Sequence, residues 1–85
     1  MSRHIFTMNG IRTVVGWDPP LRTFYIQRGV GDTEGFWAEG PWLWLGTNYQ
    51  EITDIQEVVE LNREYKFGFT DTLIWALHED QDNNL

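Results

Sequence analysis

The chain has no cysteine, which excludes a disulfide framework and a thiolate-ligated zinc site, the usual supports of small secreted domains. A reducing cytoplasm is the expected compartment. Its only serine is Ser2, at a terminus where order is hard to hold, so nucleophilic catalysis has neither a thiol nor a well-placed serine hydroxyl. Imidazole is confined to His4 and His78, neither with a second ligand at a recognised spacing, and neither a metal nor a cofactor is expected. No stretch approaches the ~20 apolar residues of a membrane span, and the opening MSRHIFTMNG has no apolar run of signal-peptide length, so neither membrane association nor export is expected. Positive charge is scarce too, with six Lys and Arg against thirteen Asp and Glu and a net charge of −7. A surface of that sign repels phosphate backbones, and direct nucleic-acid binding is not expected. The glycines of GVGDTEG are followed by no lysine, so they make no phosphate-binding loop.

What is abundant is aromatic surface. Five Trp, five Phe and three Tyr make up 15% of 85 residues, enough for a dense core in one small domain over 1–85, although chains of this size bury only about 60–65% of their unfolded surface. Charge is unevenly placed. Residues 1–30 hold Arg3, Arg12, Arg22 and Arg28 against Asp18 alone, whereas twelve carboxylates face only Arg63 and Lys66 in the remainder.

Period-2 patterns come first. Runs at 3–8 and 11–17 flank Asn9 and Gly10, a dipeptide suited to a two-residue type I′ turn. Asp18, Pro19 and Pro20 stop the second run, with an Asx turn the expected use of the Asp18 carboxylate. A third strand is predicted over 21–27, a long loop over 29–41, and a fourth strand over 42–46 with Trp42 and Trp44 on one face and Leu43 and Leu45 on the other. The sheet thus spans 3–47. After Asn48 the period becomes helical. A capping box beginning at Thr53 opens a helix over 53–66, with Ile55, Val58, Val59, Asn62 and Tyr65 on its core arc. Gly68 is the expected terminator, Thr70 starts a second helix over 70–79 with Leu73, Ile74 and Leu77 inward, and the polar tail 80–85 is expected to fray. The fold class is α+β: a four-stranded antiparallel sheet followed by two helices packed on one face.

The segments VVGWDPPLRTFYIQ (14–27) and LWLGT (43–47) resemble a family of small uncharacterised bacterial and mobile-element proteins with a V-x-G-W-D-x-P-L-x-T-F-F-x-Q-V core and an L-W-x-G-T strand. The likeness runs through Val15, Gly16, Trp17, Asp18, Pro20, Leu21, Thr23, Phe24 and Gln27, then Leu43, Trp44, Gly46 and Thr47. Tyr25 and Arg28 depart from it. The resemblance implies a fold and a bacterial or mobile-element origin, and no activity.

Paired carboxylates support glycoside hydrolysis only across a cleft of defined width, for which this chain has little wall material, and no enzymatic activity is expected. Two features stand above background. Glu51, Asp54, Glu57, Glu60 and Glu64 recur every three or four residues, an acidic ridge with carboxylates roughly 5–6 Å apart, approximating successive phosphates of a nucleic-acid strand. Trp37, Trp42, Trp44 and Trp75 are more large rings than one small core easily encloses, and such rings anchor interfaces. The expected function is non-enzymatic binding to another protein through Glu51, Asp54, Glu57, Glu60, Glu64, Trp37, Trp42 and Trp44. Its sharper form is an inhibitor of a host nucleic-acid-handling complex, of the anti-restriction or anti-CRISPR kind, in which the ridge occupies a basic nucleic-acid-binding surface. Self-association through the fourth strand is a further expectation, and a carbohydrate or small-ligand module stacking on exposed Trp residues is the alternative.

Overall fold

Alternating apolar residues make the first half of the chain an antiparallel meander, and the computed structural model describes it and the helices over residues 2–8, 11–30 and 43–84. The strands are β1 (His4–Met8), β2 (Ile11–Asp18), β3 (Thr23–Val30) and β4 (Leu43–Leu45), in spatial order β1-β2-β3-β4. Two helices follow, α1 (Ile55–Tyr65) and α2 (Asp71–Asn83), giving the expected α+β arrangement. Met8 pairs with Ile11; the predicted Asn9–Gly10 turn itself, and residues 31–42, which include Trp37 of the predicted loop and Trp42 of the predicted fourth strand, lie outside the described residues.

Register decides which residues enter the core. Val15 faces Ile26 and Trp17 faces Phe24 across β2 and β3, and Ile26 faces Leu45 across β3 and β4. These side chains meet Ile52, Val58, Phe67, Phe69 and Leu77 in one cluster beneath the helices. Trp17 and Phe24 pack edge to face at 5.0 Å, a geometry the ring quadrupoles favour. The connection between the helices brings buried Phe67 and Phe69, stacked on each other, into the same core, with Phe6 edge-on to Phe69; Tyr65, predicted on the core arc, stacks on Phe67 but is itself exposed, as it ends the helix at its rim. Asn62, predicted on the core arc, turns both ends of its amide to Phe69, accepting from the Phe69 N–H at 2.9 Å and donating to its carbonyl at 3.3 Å.

Several boundaries differ from the sequence reading. β3 begins at Thr23, after Arg22 adopts a left-handed φ of 50°, and runs on to Val30 because Gly29 and Val30 pair with Arg12 and Ile11. The N-cap of α1 is Asp54, not Thr53; the Asp54 carboxylate accepts from the Gln56 N–H at 2.9 Å, while the Thr53 carbonyl is held by Gln81 Nε2 at 2.6 Å. Lys66, in the left-handed region, ends α1 before Gly68 is reached. Thr70 caps α2 as expected, its hydroxyl accepting from the Leu73 N–H.

Residues 80–84 of the tail, predicted to fray, are ordered as part of the helix. Residues 80–83 continue α2, and Asn84 closes it in a left-handed conformation. Asp80 bonds His4 Nε2 at 2.7 Å on β1, and Asn84 Oδ1 accepts from Trp17 Nε1 at 3.1 Å on β2. Trp17 also receives the other end of the described chain, since its N–H donates to Ser2 Oγ at 2.8 Å and its carbonyl accepts from the Ser2 N–H at 3.1 Å.

Candidate functional site

The segment joining β4 to α1 is the part of the fold on which the candidate site is built. Gly46, at φ +80°, brings the backbone so close to Phe24 that any Cβ there would overlap the Phe24 carbonyl. The chain then doubles back along β3: the Gln50 N–H donates to the Leu21 carbonyl at 2.8 Å and the Phe24 N–H to the Ile52 carbonyl at 2.9 Å. Thr23, fully buried, accepts from the Ile52 N–H at 2.8 Å and turns its own proton toward the carbonyls of Phe24 and Ile52.

Glu51 holds this turn together through its carboxylate. Its Oε2 accepts from the Gly46 N–H at 2.8 Å, and its Oε1 accepts from the Asn48 N–H at 3.2 Å and from Asn48 Nδ2 at 3.0 Å. The Gly46 N–H, helped by the Asn48 and Thr47 donors and opposed by partial burial, holds the Glu51 carboxyl below its ordinary value of 4.5.

The five acidic residues read as one ridge therefore divide. Glu51 lies outside the helix and serves the turn, and Asp54 caps α1. Glu57, Glu60 and Glu64 remain on exposed positions of α1, and among the described residues no hydrogen bond or ion pair engages their carboxylates. These three carboxylates and Glu51 border a groove of about 340 Å³ whose apolar lining is Leu45, Ile52 and Leu61. Sequence periodicity brings out the carboxylates. The apolar floor comes from β4 and the turn, elements joined to α1 only in three dimensions.

Trp44 lies elsewhere. Its register partner is Gln27, whereas its neighbours Leu43 and Leu45 pack on the helix-covered face with Arg28 and Ile26. Trp44 is 54% exposed on the opposite face of the sheet, where it borders a cavity of about 260 Å³ with Asp18, Leu21, Tyr25, Gln27, Gly46 and Thr47. Burial pushes the Tyr25 hydroxyl pKa up, and that hydroxyl donates to the Ser2 carbonyl at 2.6 Å, so Tyr25 contributes a fixed wall. The acidic groove and Trp44 form two surfaces, one on each side of the sheet. Trp37 and Trp42, predicted to share the binding role, lie outside the described residues.

Among the described residues no group of three His, Cys, Asp or Glu is arranged to hold a metal ion, and no helix is long and apolar enough to cross a membrane. No protein-family model matches the chain, and no curated protein and no solved structure matches it significantly. The residues that carry the resemblance noted above have structural work in this fold: Gly16 admits the Ser2 backbone, Trp17 and Phe24 pack in the core, Asp18 Oδ1 accepts from the Leu21 N–H at 3.4 Å, and Thr23 and Gly46 seat the turn.

Proposed function

We propose that this chain is a non-enzymatic protein-binding domain whose acidic groove receives a basic surface of another protein. The observation that carries the reading is the unpaired state of Glu57, Glu60 and Glu64 beside the apolar lining of Leu45, Ile52 and Leu61. Three like charges at i, i+3 and i+7 disfavour the helix by a few tenths of a kcal/mol per close pair, and a cationic partner relieves that repulsion. Along the axis the three carboxylates advance in steps of about 4.5 and 6 Å, comparable to the spacing of phosphates on a strand. The basic surface of a nucleic-acid-handling complex is accordingly the preferred partner, and inhibition by occupying its channel the preferred mode, as in anti-restriction and anti-CRISPR proteins.

The test is the triple variant E57Q/E60Q/E64Q, which keeps side-chain shape and most helix propensity. Immobilised wild-type protein is expected to retain host nucleic-acid-binding proteins that elute with salt and are displaced by a short DNA duplex. The triple variant is expected to fold and to lose them. Full-strength, salt-sensitive retention by the variant overturns the reading. Trp44 supports a second reading, a small-ligand or carbohydrate platform, because an exposed indole borders a cavity carrying the polar groups of Asp18, Gln27 and Thr47. Sugar stacking is nearly insensitive to salt, which separates the two.

A further inference from the structure

The opposite flank of α1 carries a second groove with different chemistry. Ile55 and Val59 of α1 and Ile74 of α2, all half-buried, line a groove of about 330 Å³ between the helices, with Asp71, Trp75 and His78 along its α2 side. Trp75 is the most exposed large hydrophobic side chain among the described residues, at 64%. It is nevertheless held in place: Nε1 donates to Glu79 Oε1 at 3.0 Å one turn along α2, and the ring leans on His78 at 6.2 Å. An indole whose N–H is already satisfied and whose orientation is set loses little freedom when a partner covers it, which is the character of an interface anchor.

We propose that this groove is a docking site for a cationic amphipathic helix of another protein. Asp71, Ile74, Trp75 and His78 stand at i, i+3, i+4 and i+7 on α2, a row about 10 Å long, and Ile55 and Val59 stand at i and i+4 on α1, so the trough is bounded by two turns of α2 and one turn of α1. Ridges of a third helix fit such a trough, with apolar residues at matching spacing against Ile55, Val59 and Ile74. Charge selects the occupant. Asp71 lines the groove and Glu79 holds the Trp75 indole beside it, with no Lys or Arg among the lining residues, so a second copy would set like charge against like. A helix with Lys or Arg beside its apolar stripe places those cations toward Asp71 and Glu79 instead. This surface stands independently of Glu57, Glu60 and Glu64, which flank the other side of α1.

The probe is a synthetic peptide of about 18 residues with Leu at i, i+3, i+4 and i+7 and Lys elsewhere, long enough to form a helix on binding. Its controls are a peptide of identical composition with the leucines scattered and one with Glu replacing Lys. Calorimetric titration into the full chain at physiological salt is expected to show saturable binding of the first peptide only, with amide shifts confined to α1 and α2. Trp75→Ala, a change at an exposed position, is expected to weaken it roughly tenfold or more, while E57Q/E60Q/E64Q leaves it within about threefold. Failure of the amphipathic peptide to bind overturns the proposal, as does equal binding of the scattered peptide or indifference to Trp75→Ala. A concentration-dependent dimer that Trp75→Ala abolishes overturns it in favour of a second copy. Loss of host-protein retention by the triple variant with this binding intact separates the two surfaces.

Discussion

Gly16 and Glu51 each fix a piece of backbone that no strand or helix pattern would hold. A Cβ on Gly16 would overlap the Ser2 carbonyl and crowd the Tyr25 ring, so Gly16→Ala must displace the 2–3 segment from its place beside Trp17. Overpacking of this kind costs about 1–3 kcal/mol, and chemical denaturation is expected to show a lower midpoint with little change in slope. Glu51 gives a pH signature. Its carboxyl is depressed in the folded state by the donors of Gly46, Thr47 and Asn48, so its contribution is complete above the ordinary glutamate range and disappears as pH falls through the depressed folded value. Charged hydrogen bonds are worth more than neutral ones, but Glu51 is solvent-exposed and screening reduces the gain, so Glu51→Gln is expected to cost about 1 kcal/mol at neutral pH. Melting curves of the two proteins should converge in acid; a gap that persists there would show that shape, not charge, holds the turn.

At the level of elements, the sequence made the meander and both helices legible because turn residues bound the β-rich runs of β1 to β3 and α1 has a continuous apolar arc. Two of the departures depend on partners far away in the chain. β3 reaches Val30 because Arg12 and Ile11 are there to pair with it, although Gly29 alone suggests a loop. Residues 80–84 look like a solvated tail until His4 and Trp17 supply bonds for Asp80 and Asn84. The acidic ridge was visible as a period, but that period continued through Glu51, whose carboxylate is turned to Gly46 and Asn48. For α2, Asn84→Ala removes the acceptor for Trp17 Nε1 and places a Cβ-bearing residue without a polar side chain at φ 54°. A loss of about 1–2 kcal/mol is expected. Amides of 80–83 are expected to exchange with solvent faster in the variant than in the wild-type protein, and unchanged exchange would place the anchor of this turn in the Asp80 and Gln81 contacts.

Over the whole molecule, a sheet with helices on one face leaves the candidate surfaces dispersed: the acidic groove on one flank of α1, the Trp75 trough on the other, and Trp44 behind the sheet. The meeting of Ser2 and Asn84 at Trp17 has a topological consequence. The path from residue 2 to residue 84 is nearly a closed ring, and the indole and peptide of one residue act as its clasp. Sealing that ring covalently, by backbone cyclisation through a short glycine-serine linker, should leave the fold intact while restricting the unfolded chain. In the chain-entropy picture, closing a loop of this length stabilises by up to about 4.6 kcal/mol. The cyclic protein is expected to melt at a higher temperature than its linear form, and Asn84→Ala, which loosens one side of the clasp, should then cost less in the ring than in the open chain.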